Sequence, residues 1–256
     1  MPLMGTLRAT WHLFVVSLLR LVRSRQTAVS LLLLAFAALA VIAWSIRRER
    51  TPAQFTEEIF LTLYTSLLVP IFCLCYGTVG VASDREEQTL VYLLVSPLPR
   101  PFVYLAKTAA AFVPSLAWTL GSLALLCWLG GAAGRKVWPV VWPASLFASL
   151  AFVSLFSVFS VLFRRATVLA LTYALFLEAL VGNLPGIAKR MAISFYMRCL
   201  VFDSAEQFQL SLRGLFQPEV FLPIPGSTAQ NVLLIASASL LLFGLVVFCL
   251  REYASA

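Results

Sequence analysis

Charge is what this sequence has least of. Only 12% of its 256 residues are Asp, Glu, Lys or Arg, while 61% are hydrophobic; a soluble domain carries about 25% charged residues. With a mean hydropathy of +0.93, the chain is spent on membrane spans and leaves no room for a large second domain. Histidine occurs once, at His12. A membrane zinc protease of the H-E-x-x-H kind is therefore excluded, and a Ser–His dyad within the bilayer fails because His12 lies outside the spans. No G-x-x-x-x-G-K-[ST] run occurs, and Lys107, Lys136 and Lys189 each follow Ala or Arg, so the chain has no phosphate-binding loop of that type. Cysteine is also sparse. Cys73 and Cys75 are two apart on an expected helix and point to different faces, and Cys127, Cys199 and Cys249 lie elsewhere. They read as small apolar residues rather than metal ligands. Only Cys199 is expected outside the membrane, so no disulfide framework is. The formal charge of +8 is dispersed at membrane boundaries and carried by no nucleic-acid motif. The expected partner is the lipid bilayer, with no nucleic acid.

What is present is a series of apolar runs. Residues 5–25 come first and read as an interfacial helix rather than a span. On a helical wheel Leu7, Trp11, Phe14, Val15, Leu18, Leu21 and Val22 face one way, and Arg8, His12, Arg20 and Arg23 the other. Arg20, Arg23 and Arg25 interrupt the apolar core that a signal peptide needs. Six runs long enough to cross about 30 Å of hydrocarbon follow, at Thr27–Ile46, Ile59–Ala82, Phe102–Gly130, Val140–Phe163, Thr167–Leu184 and Thr228–Leu250. Six spans return the chain to its starting side. With the amino terminus cytoplasmic, Arg8, Arg20, Arg23, Arg25, Arg85, Arg100, Lys107, Arg164, Arg165 and Arg251 lie inside, ten of the 19 basic residues. Trp44, Trp128, Trp138 and Trp142 fall at the opposite interface as an aromatic belt. Arg47–Glu58 and Gly131–Pro139 are expected as short connections. Residues 185–227 form a longer extracytoplasmic segment whose Ile187, Met191, Phe195, Leu200, Phe208, Leu212 and Phe216 indicate one or two amphipathic helices at the outer surface. The expected fold is thus an all-α polytopic membrane protein, one domain over residues 1–256.

The longest polar interruption on the cytoplasmic side is Ser83–Lys107, SDREEQTLVYLLVSPLPRPFVYLAK. Ser83 reads as an N-cap with Glu86 completing a capping box, and Asp84, Glu86 and Glu87 suit the positive end of a helix dipole. Leu90, Leu93 and Leu94 add an apolar stripe; Pro97, Pro99 and Pro101 stop the helix. Arg100 and Lys107 flank the start of the third span. A second candidate is Glu178, the one acidic residue well inside a span. At that depth an ionisable group is a functional-site hypothesis by default, the alternative being a structural partner for a polar group nearby.

The Ser83–Lys107 stretch resembles the signature of type-2 ABC exporter permeases, roughly E-R-E-x-G-T-L-E-x-L-L-x-x-P-x-x-R with a Lys beginning the next span. Asp84, Arg85, Glu86, Thr89, Leu90, Leu93, Leu94, Pro97, Arg100 and Lys107 match it; Gln88 stands where glycine is usual and Val91 where a second Glu is common. The resemblance extends to the amphipathic first helix, the six spans and the outer helices. It implies the membrane subunit of an ATP-binding-cassette exporter, working as a dimer with a second copy or a paralogue. Two separate ABC ATP-binding subunits would carry ATP and Mg, leaving this chain with no cofactor and no enzymatic site of its own. Asp84, Arg85, Glu86, Glu87, Thr89, Leu90, Leu93, Leu94, Pro97 and Arg100 would then form a coupling helix and its end, in contact with those subunits. The implied location is a bacterial inner membrane with both termini cytoplasmic. A non-transporting membrane scaffold or assembly factor with a permease-like fold is the alternative. A membrane enzyme ranks third, since no acid, base, metal or nucleophile constellation is visible.

Overall fold

The computed structural model describes residues 2–46, 51–86, 98–180, 188–208 and 224–251. Among them every regular element is helical. Five helices are long and apolar enough to cross a membrane, which makes the chain an integral multi-pass membrane protein. They are α2 (Arg25–Ser45), α3 (Pro52–Gly77), α5 (Arg100–Leu129), α6 (Gly131–Leu162) and α9 (Gly226–Leu250). Before them runs α1 (Pro2–Val22), and between α3 and α5 stands the short α4 (Val79–Glu86). The expected span Thr167–Leu184 is described as α7 (Ala166–Tyr173) followed by a π-wound turn, Ala174–Leu180. Its far end lies outside the described residues. A 3-10 turn, Ala188–Met191, leads into α8 (Ile193–Gln207).

Several boundaries differ from the hydropathy reading, each for a local reason. The segment before the second span is helical from Pro52. Thr51 accepts from the Gln54 N–H while the Gln54 side chain accepts from Thr51, a capping box with proline at the first helical position. Residues 55–68 are then wound as a π-helix, and hydroxyls there reach five residues back, Thr62 to Glu57 O and Ser66 to Leu61 O. Gly131–Pro139 is not a connection. The turn between α5 and α6 is closed at Gly130–Gly131, where Gly131 holds φ +65°, a left-handed conformation that glycine adopts without a Cβ penalty. Helix α6 then continues through Pro139 and Pro143. Each proline removes one N–H, and the helices packed around α6 hold it in place.

Helix α6 is the axis of the bundle, with Val137, Val141, Ala148, Phe152, Phe156 and Val161 fully buried. Gly77 lets α3 approach it so closely that a Cβ there would stand 2.9 Å from the Phe156 Cβ. A polar seam stitches α3, α5 and α6 near mid-depth. Tyr64 OH donates to Thr119 O at 2.8 Å, Ser149 Oγ to Thr119 Oγ1 at 3.2 Å, and Cys73 Sγ lies 3.8 Å from Ser149 O. By contrast α2 and α9 lie at the perimeter, exposing Leu31, Leu32, Phe36 and Leu39 on one and Ile235, Leu242, Phe243 and Val246 on the other. In a bilayer these side chains meet acyl chains at no hydrophobic cost.

Helix α1 splits its apolar side in two. Phe14, Leu18 and Leu21 pack on the bundle, whereas Leu7, Trp11 and Val22 remain exposed. Arg8, His12, Arg20 and Arg23 are exposed on the remaining sector.

Candidate functional site

Two separate places carry the ionisable groups singled out in the sequence. At the first, the described part of the polar stretch is the end of α4 and residues 98–107. Ser83 is not an N-cap: it sits inside α4, and its hydroxyl donates to Val79 O at 2.9 Å. A serine on a helix bonds back to the carbonyl four residues earlier as readily as it caps, so the S-x-x-E pattern marks no helix start here. Asp84, Arg85 and Glu86 continue the same helix backbone. Glu87, Thr89, Leu90, Leu93, Leu94 and Pro97 lie outside the described residues. Beyond them, Leu98 packs against a small cluster formed by Val103, Tyr104, Val161 and Phe248, and Arg100 begins α5. Lys107, about two turns into α5, is buried and donates to Gly80 O at 3.5 Å, which ties α4 to α5.

Arginines complete this site. Arg100 Nη1 donates to Cys249 O at 3.1 Å, a carbonyl in the last turn of α9. Arg251, the extended residue that follows α9, reaches across to α6 and donates from Nη1 to Val161 O at 2.7 Å and Leu162 O at 2.6 Å. The last four carbonyls of a helix have no partner within it, and cations there are favoured by the helix dipole. Both arginines thus serve the C-terminus of a helix other than their own. The sequence reading placed Arg251 only among the inside basic residues; an arginine directly after an apolar span was the available signal.

At the second site the roles invert. Glu178 is fully buried in the π-wound turn. One carboxylate oxygen accepts from the Ile193 N–H at 2.9 Å and the Tyr173 hydroxyl at 3.0 Å. The other accepts from the Ser194 N–H at 2.9 Å. Those N–H groups open α8, whose own cap position is Ala192 and offers no side-chain acceptor. Glu178 therefore caps α8 from outside it. The geometry gives this carboxylate a structural partner, and that partner is backbone rather than a polar side chain of a neighbouring span.

Helix α8 is also more deeply placed than the outer-surface amphipathic helix expected from the sequence. Phe195, Met197, Cys199 and Val201 are fully buried, and only Glu206, Gln207 and Phe208 at its end are exposed. Its apolar residues recur too densely for one face, because α8 packs on α6, α9 and the π-wound part of α3 at once. Arg198 is carried inside with it, 8% exposed, and donates from Nη2 to Ser66 Oγ at 2.8 Å. Burial holds its guanidinium below the usual pKa range, while attraction to the Glu178 carboxylate opposes that. Close by, the Trp44 indole donates to Glu58 Oε2 at 3.1 Å and fastens α2 to α3. Cys73, Cys75, Cys127 and Cys199 are buried and Cys249 half-buried, all as free thiols. Among the described residues no three of His, Cys, Asp and Glu gather as a metal site would require.

In comparison with known proteins, no family model matches the chain and no curated protein matches its sequence.

Proposed function

We propose that this chain is the transmembrane permease subunit of an ABC exporter. It crosses the membrane six times, forms the translocation path as a dimer, and is driven by two separate ATP-binding subunits. The observation that carries this reading is the spacing of Asp84, Arg85, Glu86, Thr89, Leu90, Leu93, Leu94, Pro97, Arg100 and Lys107 in a polar stretch between two apolar helices. An acidic run that continues α4, followed in the sequence by a leucine stripe and prolines, is a polar connection between two apolar helices, suited to receive force from a partner. Support also comes from what flanks it: α4 continues into Asp84–Glu86, and Arg100 engages α9. The chain lacks a phosphate-binding loop of its own, so ATP chemistry belongs to the partner.

The test is purification of the tagged protein from mild detergent with an assay for ATP hydrolysis, alongside the Glu86→Lys, Glu87→Lys double variant. An ATPase should co-purify with the native chain and be lost or uncoupled in the variant, because reversing two charges opposes whatever complementary surface they meet. A native chain that brings down no ATPase moves the assembly-factor reading to first place.

A further inference from the structure

We infer that Arg100 and Arg251 make the start of α5 and the ends of α6 and α9 into one block, through which motion of the polar stretch reaches the opposite side of the membrane. This rests on the permease reading above and adds to it the route of the coupling.

Four observations point to the block. Leu98, the last apolar residue of the stretch before Arg100, sits on the Val103, Tyr104, Val161 and Phe248 cluster, which is separate from the main core and draws on α5, α6 and α9. Tyr104 and Phe248 pack with ring centroids 5.7 Å apart and their planes tilted by 35°, and a Cβ at Gly244 would collide with the Tyr104 hydroxyl, so α9 lies tight on α5. Arg100 then fixes the last turn of α9 to the first turn of α5, and Arg251 fixes the end of α9 to the last carbonyls of α6. Leu13 of α1 packs against the same cluster, whereas α2 and α3 contribute nothing to it.

The consequence is directional. A push on residues 98–100 does not bend α5 alone, because that would pull Tyr104 off Phe248 and strip carbonyls of their donors. Lost packing in the buried Val103, Tyr104, Val161 and Phe248 cluster is costly, and the arginine contacts add to it, so α5, α6 and α9 move together. Helices of this length transmit such a displacement to their far ends, and α9 is continuous from Gly226 to Leu250. Arg100 and Arg251 are on this account positioning residues. They touch neither nucleotide nor cargo.

The experiment uses the complex purified with its ATPase. Cys249, the half-buried native thiol, is replaced by Ser, and a polarity-sensitive fluorophore is attached at Asn231→Cys, an exposed position at the far end of α9. ATP should shift the emission of the native complex. In Arg251→Gln the ATPase should still co-purify and hydrolyse ATP at the native rate, while the ATP-driven shift falls at least about three-fold, the scale on which single residues alter coupling between sites. Arg251→Lys keeps one donor and should restore much of the shift, which a merely destabilised helix end would not do. Should Arg251→Gln fail to assemble, a reduced shift in Arg100→Gln serves in its place, and a full shift there overturns the inference. A full shift in both variants overturns the inference and leaves the permease reading intact, as does a native complex that hydrolyses ATP with no shift at Asn231→Cys. Absence of any co-purifying ATPase overturns both readings.

Discussion

At one site Arg251 and Arg100 donate to carbonyls that terminate α6 and α9; at a second, deeper site Glu178 accepts from the N–H groups that begin α8. Each site matches the sign of its side chain to the dipole of the helix terminus it serves. The two differ in depth. The arginine contacts are half-buried or exposed, and water competes for the same carbonyls. Glu178 is fully enclosed, and no water replaces it. Dependence on the side chain should therefore be steep at the Glu178 site and shallow at the arginine site, although both use charge-assisted hydrogen bonds.

The largest effect that would break this contrast is at Glu178. Glu178→Ala leaves two buried N–H donors and the Tyr173 hydroxyl without an acceptor, an expected loss of about 3 kcal/mol or more, read as a large drop in melting temperature in detergent. Glu178→Gln should cost less, about 2 kcal/mol, because its amide oxygen still accepts while its NH2 faces a donor. A melting temperature unchanged in Glu178→Ala would mean that α8 does not depend on its borrowed cap. Next comes Gly244→Val at the arginine site, where the side chain meets Tyr104; overpacking of this kind costs about 1–3 kcal/mol, and faster amide exchange over 245–250 would localise it. Arg251→Gln exposes two carbonyls to water and should cost about 1 kcal/mol, with exchange rising in the last turns of α6 and α9 but not in α8. Arg100→Gln, the most exposed contact, should stay within about 1 kcal/mol of native. If the two arginine variants destabilise as strongly as Glu178→Ala, depth does not distinguish the sites.

The sequence carried the long apolar helices well, since mean hydropathy over some twenty residues needs no knowledge of neighbours. Prolines misled it. Pro139 looks like the end of a connection, yet in a helix surrounded by other helices the cost of a missing N–H is tolerated, and α6 runs through it and Pro143. The helix start assigned to Ser83 failed because a hydroxyl that caps and one that bonds back to residue 79 leave the same trace in the sequence. Periodicity also missed the π-wound stretch at 55–68, whose Thr62 and Ser66 reveal it only through partners five residues back. Glu178 was found as an anomaly of composition, but its role was illegible: its partners at Ile193 and Ser194 are backbone groups, and any residue except proline supplies those. Arg198 was hidden for a related reason, being one polar position in a helix that burial surrounds on every side.

The capping of α8 also has a consequence for the order in which the protein is made. Glu178 reaches the membrane before Ile193, 15 residues later in the chain, has been synthesised. At about 5–20 residues per second the carboxylate waits about 0.75–3 s for its backbone donors. A nascent chain stalled before residue 193 would thus present the insertion machinery with an acidic residue whose backbone donors are not yet made, and such an arrested chain should be held back from the lipid until translation resumes.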